Sequence, residues 1–398
     1  MGAFLDNGFS AIAKDDDAAI RFHSIKIEGQ LAMSGATISN SIGTALLADC
    51  AAINGDVFLD DGFDAKGDGA HGVVRFTSAV ITGQLVLHES SMQNGSGPAL
   101  VAVGATITDG IAARREASAF GSNDSAVVDL SRVTITADVD LSGLSIVQGE
   151  GSALRIDGAE IRGNLVLCSK VASRTAGDSV TISLANTTVR GSLHLNADNL
   201  EQAGRETKWV LGGLSYKSYT GVPFLKWLDA IQKGTTEYGA QPYQQLALVA
   251  RTEGHDNDAR RALMRQRNDQ LRRGGLSKPA KLWLLITGVC IGYGYQPWRA
   301  LIGVLGVITV SLIVAFLNAG ALTQTGAATA TRCTDVQILQ VAVDVAIPLV
   351  RTSVGTACRV TATASGQFVA TVGVFLTLTG WALTALFAAG FTRAIRQP

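Results

Sequence analysis

Glycine or a substitute recurs at Gly29, Gly55, Gly83, Asp109, Ala137, Gly163 and Gly191, in steps that alternate between 26 and 28 residues. Six slots surround each of them, at nine, seven, four and two residues before and at two and four after. For Gly163 the slots hold Leu154, Ile156, Ala159, Ile161, Leu165 and Leu167; for Gly83 they hold Val74, Phe76, Ala79, Ile81, Leu85 and Leu87. Seven repeats of six slots make 42 positions, and Thr187 is the single residue among them that is not apolar. In a chain that is 47% hydrophobic, chance fills about half of such slots. The slots pair two residues apart, which puts both members of a pair on one face of a short strand. Between pairs sits one tight corner, where Gly, Asn or Asp tolerates the backbone angles.

Three short strands per turn, stacked turn on turn, predict a parallel β-helix (a β-solenoid) of about 27 residues per coil. At about 4.8 Å per coil, seven coils rise roughly 35 Å. The rest of each repeat, such as His88 to Pro98 or Cys168 to Ser179, is rich in Gly, Ser, Asn and Asp. These stretches are expected to project as loops along one edge. A loop ridge of that kind is the natural place for a cytoplasmic protein partner, although most loops are plain solvated connections.

Net charge is zero and charged residues are 17% of the chain, so nucleic acid is not an expected partner. The five cysteines show no CxxC and no Cys/His cluster with metal spacing. Asp15, Asp16 and Asp17, and Asp60, Asp61 and Asp64, fit neither an EF-hand loop nor a glycine-rich calcium repeat and read as exposed corners. His23, His71, His88 and His194 fall on different coils, and Cys50 and Cys168 sit just outside the slots. No GxGxxG opens a helix after a strand. No catalytic residue, metal or cofactor is therefore expected. The N-terminus has no basic n-region and no apolar h-region, so it is not read as a signal peptide. Phe4 to Phe9 (FLDNGF) matches Phe58 to Phe63 (FLDDGF) one double repeat later, so the chain is expected to start within a coil.

The β-helix is expected over residues 1–221, with 209–221 as a last imperfect coil or cap. A helical neck follows over 222–275. Phe224, Leu225, Trp227, Leu228 and Ile231 share one face; Tyr243, Leu246, Leu248 and Val249 form a second apolar set; a basic helix runs from about Asp258 to Arg273. Tyr-x-x-Leu-Ala followed by Gly-x-x-x-x-Ala looks like one tetratricopeptide-type helix pair, suited to capping the β-helix. Residues 276–299 form an interfacial helix and linker. The apolar run WLLITGVCIG is too short to span a bilayer, and Trp283, Tyr293, Tyr295, Trp298 and Arg299 suit the headgroup level.

Residues 300–398 form a membrane hairpin, with uncharged spans at about 300–321 and 367–391 and an outer loop over 322–366. Lys278, Lys281 and Arg299 precede the first span, and Arg393 and Arg396 follow the second. Positive charge on both flanks places the N- and C-termini in the cytoplasm of a cell inner (plasma) membrane. The loop then lies outside, where Cys333 and Cys358 are candidates for a disulfide. The lipid bilayer is the first expected partner and a second copy of the chain the next. Ala385 and Ala389 form a small-xxx-small pair, and Gly373 and Gly380 lie one heptad apart, which permits close helix approach. Val336 to Val350 is apolar, too short to span, and reads as an outer amphipathic or a re-entrant helix. The order span, short helix, loop, span is that of a two-helix channel module, with Thr352, Ser353, Val354, Gly355 and Thr356 as the possible pore loop. That loop lacks the Tyr-Gly of a potassium filter, and Arg351 sets positive charge beside it.

Four stretches carry a family resemblance: the Ala-x-Ile-x-Gly-x-Leu-x-Leu coils (Ala159 to Leu167), PYQQLALVARTEGHDNDARRAL at 242–263, GYGYQPWRAL at 292–301, and the last span. Over nearly its whole length the chain resembles a family of actinobacterial membrane proteins with cytoplasmic repeats, often labelled membrane-associated oxidoreductases. The label implies redox chemistry, for which the sequence offers no dinucleotide loop, CxxC or metal ligands. The GYG-x-x-P-W-R run is also similar to the segment before the first span in pentapeptide-repeat proteins with a two-helix channel module. A non-enzymatic membrane-anchored scaffold is the leading expectation; a channel-like oligomer built on residues 336–356 and an oxidoreductase are the alternatives.

Overall fold

The computed structural model describes the chain except residues 7, 123, 150, 168–169, 174–180, 203–204, 295, 297, 325–330, 347–357 and 397–398. It divides into two compact units, Met1–Asp269 and Gln270–Pro398.

In the first unit the repeat winds into a parallel β-solenoid of about seven coils. The slots are its core: every one from Ile27 to Leu195 is buried, while Ile20 and Phe22 are half-buried and Ile25 is exposed in the first coil. Equivalent side chains stack coil on coil. Val74 pairs with Leu100, then Val128, Leu154 and Ile182; Ile81 pairs with Ile107, then Ile135, Ile161 and Val189. Thr187 keeps its buried place because its hydroxyl donates to the Ile156 carbonyl and is not left unsatisfied.

The coils contribute four strands, not the three that the slot pairs predict, the last two slot pairs merging into Thr188–His194 in the seventh coil. The fourth lies in the stretch expected to project as loops. Ser91–Asn94, inside His88 to Pro98, is a strand, as is Lys170–Ser173. Seven such strands stack in register and set Ile38, Ala65, Met92, Ala119, Ile146 and Val171 inward. Buried Asn40 and Asn94 turn the chain out of this strand. The Asn94 amide donates to the carbonyls of Gly69 (2.8 Å) and Pro98 (2.6 Å), and the Asn40 amide donates to Asp17 (2.7 Å) and Thr44 (3.1 Å).

The repeat glycines serve close approach, not unusual backbone angles. A methyl group on Gly83 would lie 2.5 Å from the Asp56 nitrogen and 2.5 Å from the Gly55 carbonyl carbon; on Gly163 it would lie 2.5 Å from the Ala137 carbonyl carbon. Each coil rests there on the backbone of the coil before it. The left-handed corner stands five residues earlier and is mostly not glycine: Ser24, Cys50, Ser78, Gly104, Arg132, Gly158, Asn186 and Gly213.

The last coil is sealed. Three of the four interior ladders end on Trp209, Tyr216 and Tyr219, paired to Ile182, Val189 and Leu193. Three helices follow: α1 (Phe224–Gly234), α2 (Gln241–Thr252) and α3 (Asp256–Arg273). Trp227, Leu228 and Ile231 of α1 are buried, and Trp227 meets Trp209 edge to face at 5.3 Å. Leu225 and Leu248, expected on packing faces, are exposed. The Gln241 amide imitates one more strand: it accepts the Gly213 N–H (3.1 Å) and donates to the Leu214 carbonyl (2.6 Å), while Gln245 donates to the Tyr216 carbonyl (2.6 Å). Backbone groups that would otherwise offer an open strand edge are thereby satisfied. Burial raises the Tyr216 pKa, and burial, helped by Glu253 and Asp258, pushes that of Tyr219 up to about 12. Most of the expected neck therefore belongs to the same compact unit and the same hydrophobic core as the solenoid.

The second unit holds α4 (Lys278–Ile291), α5 (Trp298–Leu317), α6 (Asp335–Ala346) and α7 (Ala364–Arg396). A short antiparallel hairpin pairs Leu322–Gln324 with Cys358–Val360. Gly292, left-handed, closes α4 by donating its N–H to Gly288 and Thr287. α5 ends sooner than the apolar run suggests, because the Asn318 amide turns back to the Val314 carbonyl (2.9 Å) and a 3-10 turn follows.

Gly83→Ala is expected to destabilise its coils by about 1–3 kcal/mol, the range for forcing atoms into a packed site. Ser78→Gly, at the left-handed corner, is expected to change stability by no more than about 1 kcal/mol. Native-state hydrogen exchange over residues 74–87 of the full chain checks both. Unchanged protection in Gly83→Ala would show that close approach is not what glycine provides.

Candidate membrane anchor

In the second unit, α5 buries a stripe of mostly small residues: Ala300, Val307, Ser311 and Ala315. The spacing places them on one helix face. α6 lies antiparallel along this face. The Ser311 hydroxyl donates to the Ala342 carbonyl (3.0 Å), and Ile338 clusters one turn further out with Ala315 and Leu322. Its 12 residues reach about 18 Å at 1.5 Å each. α7 crosses α5 where Gly303 has no side chain; a methyl group there would meet Leu383 at 3.1 Å.

The remaining sides of α5 and α7 are bare. Leu301, Leu305, Ile313 and Phe316 of α5 are exposed, as are Phe368, Phe375, Leu378 and Trp381 of α7. Trp298–Leu317 and Ala364–Ala389 are long and apolar enough to cross a membrane, and their most apolar windows are 22% and 6% buried. A soluble core helix would hide most of that surface; here it suits hydrocarbon.

Cys333 and Cys358 are joined by a disulfide, with Cα atoms 6.3 Å apart. It ties the start of α6 to the hairpin. Between them Gln337 accepts the Thr334 N–H (2.9 Å) and the Gln324 amide (3.2 Å). Cys50 and Cys290 are free thiols, and Cys168 lies outside the described residues.

The expected interface residues fall around the joint of α4 and α5. Trp283, Trp298 and Arg299 are exposed, Tyr293 packs its ring over Gly288, and Tyr295 lies outside the described residues. Leu282, Leu285 and Val289 add to an exposed apolar surface on α4. Of the expected packing residues, Gly380 is buried, whereas Ala385 and Ala389 are exposed and Gly373 has no atom within 4 Å of where its methyl group would be. The possible pore loop, Thr352, Ser353, Val354, Gly355 and Thr356, lies outside the described residues.

Three arginines of the solenoid pair with an aspartate on a neighbouring coil. Arg75 pairs with Asp49, Arg155 with Asp129 (3.5 Å) and Arg114 with Asp140 (3.0 Å). Burial works against the Asp140 charge, but hydrogen bonds from Ser142 and Arg114 outweigh it and hold its carboxyl below the usual range. Asp15 to Asp17 are exposed as expected. Asp60 is not: it is buried and accepts the Ser34 hydroxyl at 2.5 Å. His88 accepts the Arg114 N–H (3.1 Å) and His194 bonds Thr220 (2.7 Å), each a local contact between neighbouring coils. Among the described residues no group of three or more His, Cys, Asp or Glu gathers that could hold a metal.

Two polar side chains also went unremarked in the sequence. Ser311 in an uncharged span and Gln241 before Pro242 are both polar groups aimed at a backbone. A lone hydroxyl inside an apolar run and a glutamine at a helix start were the available signals. Neither the family models, nor the curated proteins, nor the solved structures yielded a match to this chain.

Proposed function

We propose that the chain is a multi-pass protein of the inner (plasma) membrane, in which a cytoplasmic β-solenoid acts as a scaffold for a protein partner and a two-span hairpin anchors it and self-associates. One contrast carries the proposal. The first unit seals its apolar ladders inside coils and cap, whereas the second leaves two long apolar helices bare. Different surroundings for the two units account for both. Lys278 and Lys281 before the first span and Arg299 at its start, with Arg393 and Arg396 after the second, favour a cytoplasmic location for both termini. The disulfide in the loop between the spans, and the free thiols of Cys50 and Cys290 elsewhere, agree with that sidedness. Ala385 and Ala389, exposed and four residues apart, offer a small-xxx-small ridge to a second copy.

Membrane-impermeant maleimide tests the orientation. In intact cells, after mild reduction, Cys333 and Cys358 are expected to react, and Cys50 to react only once the membrane is opened. Labelling of Cys50 in intact cells would reverse the arrangement.

A second reading, a channel-like oligomer, is favoured by the antiparallel return of α6 along α5, which takes the loop helix back beside a span. It expects rings of four or more copies and ion flux in liposomes. Closed rings without conductance would contradict it.

A further inference from the structure

We infer that the second unit holds the acyl chain of a bilayer phospholipid in a cleft between α5, α6 and α7. The inference rests on the membrane placement proposed above. The cleft has a volume of about 370 Å³ and is walled by Ala315, Val341, Val345, Val360 and Val374, with Gly373 on the α7 side. Two lining residues carry hydroxyls, and both are engaged by backbone: Ser311 donates to Ala342 (3.0 Å) and Thr377 to Gly373 (2.9 Å). Both hydroxyl protons are thereby taken up, and the two oxygens are a poor set for water, which needs two to four polar partners to stay. A hydrocarbon chain needs none. The volume also falls within the usual range of ligand sites, about 300–1,000 Å³.

Gly373 explains the shape. Unlike Gly303, which lets Leu383 come close, Gly373 has no atom within 4 Å of its methyl position. It widens the cleft and does not tighten a helix crossing. The small-xxx-small ridge at Ala385 and Ala389 lies further along α7, outside the lining, so a second copy has a separate place to pack. At the Leu322–Gln324 end of the bundle the paired strands contribute Leu322 and Val360 to the wall of the cleft. Exposed Arg332 and Arg359 both neighbour Thr323 on that hairpin, a level suited to the lipid phosphate. The chain therefore comes from the leaflet on the disulfide side.

Native mass spectrometry of the full chain, taken from membranes through detergent exchange, tests this. Wild type is expected to retain one phospholipid per chain. Gly373→Leu fills the cleft and is expected to lose it, as is Ala370→Leu, a second lining position that decides the matter should the first variant not fold. Gly306→Leu, on an exposed α5 glycine with equal room around it but outside the lining, is expected to keep the lipid. A wild type with no bound lipid, or with detergent or free fatty acid alone, would overturn the inference, as would full lipid retention in both cleft variants. Flotation of the same preparations with liposomes separates the two levels. A chain that floats without bound lipid loses the cleft alone; a chain that does not float loses the membrane placement itself.

Discussion

Side chains that sit on their own equivalents one coil away are the interaction on which the first unit depends. No single coil encloses its apolar face, so each inward residue is buried by the coils above and below it. The same constraint fixes the corners. Coils approach to backbone contact where Gly29, Gly55, Gly83, Gly163 and Gly191 carry no side chain. Asp109 and Ala137 fill the same place in the two coils between, so the requirement is local to each pair of neighbours. Polar groups inside follow the rule as well: Asn40, Asn94 and Thr187 are tolerated because each reaches a backbone group.

A stack held by neighbours needs an end. Three ladders pass from aliphatic residues to Trp209, Tyr216 and Tyr219, and Gln241 and Gln245 offer amide groups to the final coil. α1 and α2 cover the rest with Trp227 and Tyr243, whose hydroxyl reaches Asp269 at 2.9 Å. The second unit meets its apolar excess differently. Its helices pair through small residues and one serine hydroxyl, and they turn their larger side chains outward. Proteins in lipid associate through close packing and a few hydrogen bonds, since hydrocarbon surrounds do not drive apolar surfaces together.

Much of this was legible because the slots repeat. Burial of Leu154, Ile161 and Leu165 follows from their period, and the two long helices follow from uncharged runs. The fourth strand was hidden because its inward positions include Asn40, Gly67 and Asn94, which break the apolar alternation, and its outward positions are hydroxyls such as Ser91 and Ser118. The left-handed corner was hidden because Ser24, Cys50, Ser78 and Arg132 occupy it without glycine. Leu225 and Leu248 lie on helical faces that pattern alone cannot separate from the packed ones beside them. Gly373 illustrates the limit for sites: a glycine in a span signals close approach or empty space equally, and only its surroundings distinguish them.

Images of the full chain in lipid nanodiscs test the central claim most directly. The account predicts stacked rungs of the solenoid outside the disc, with α5 and α7 crossing its hydrocarbon. Density showing both helices folded in the aqueous phase, away from the disc, would contradict it.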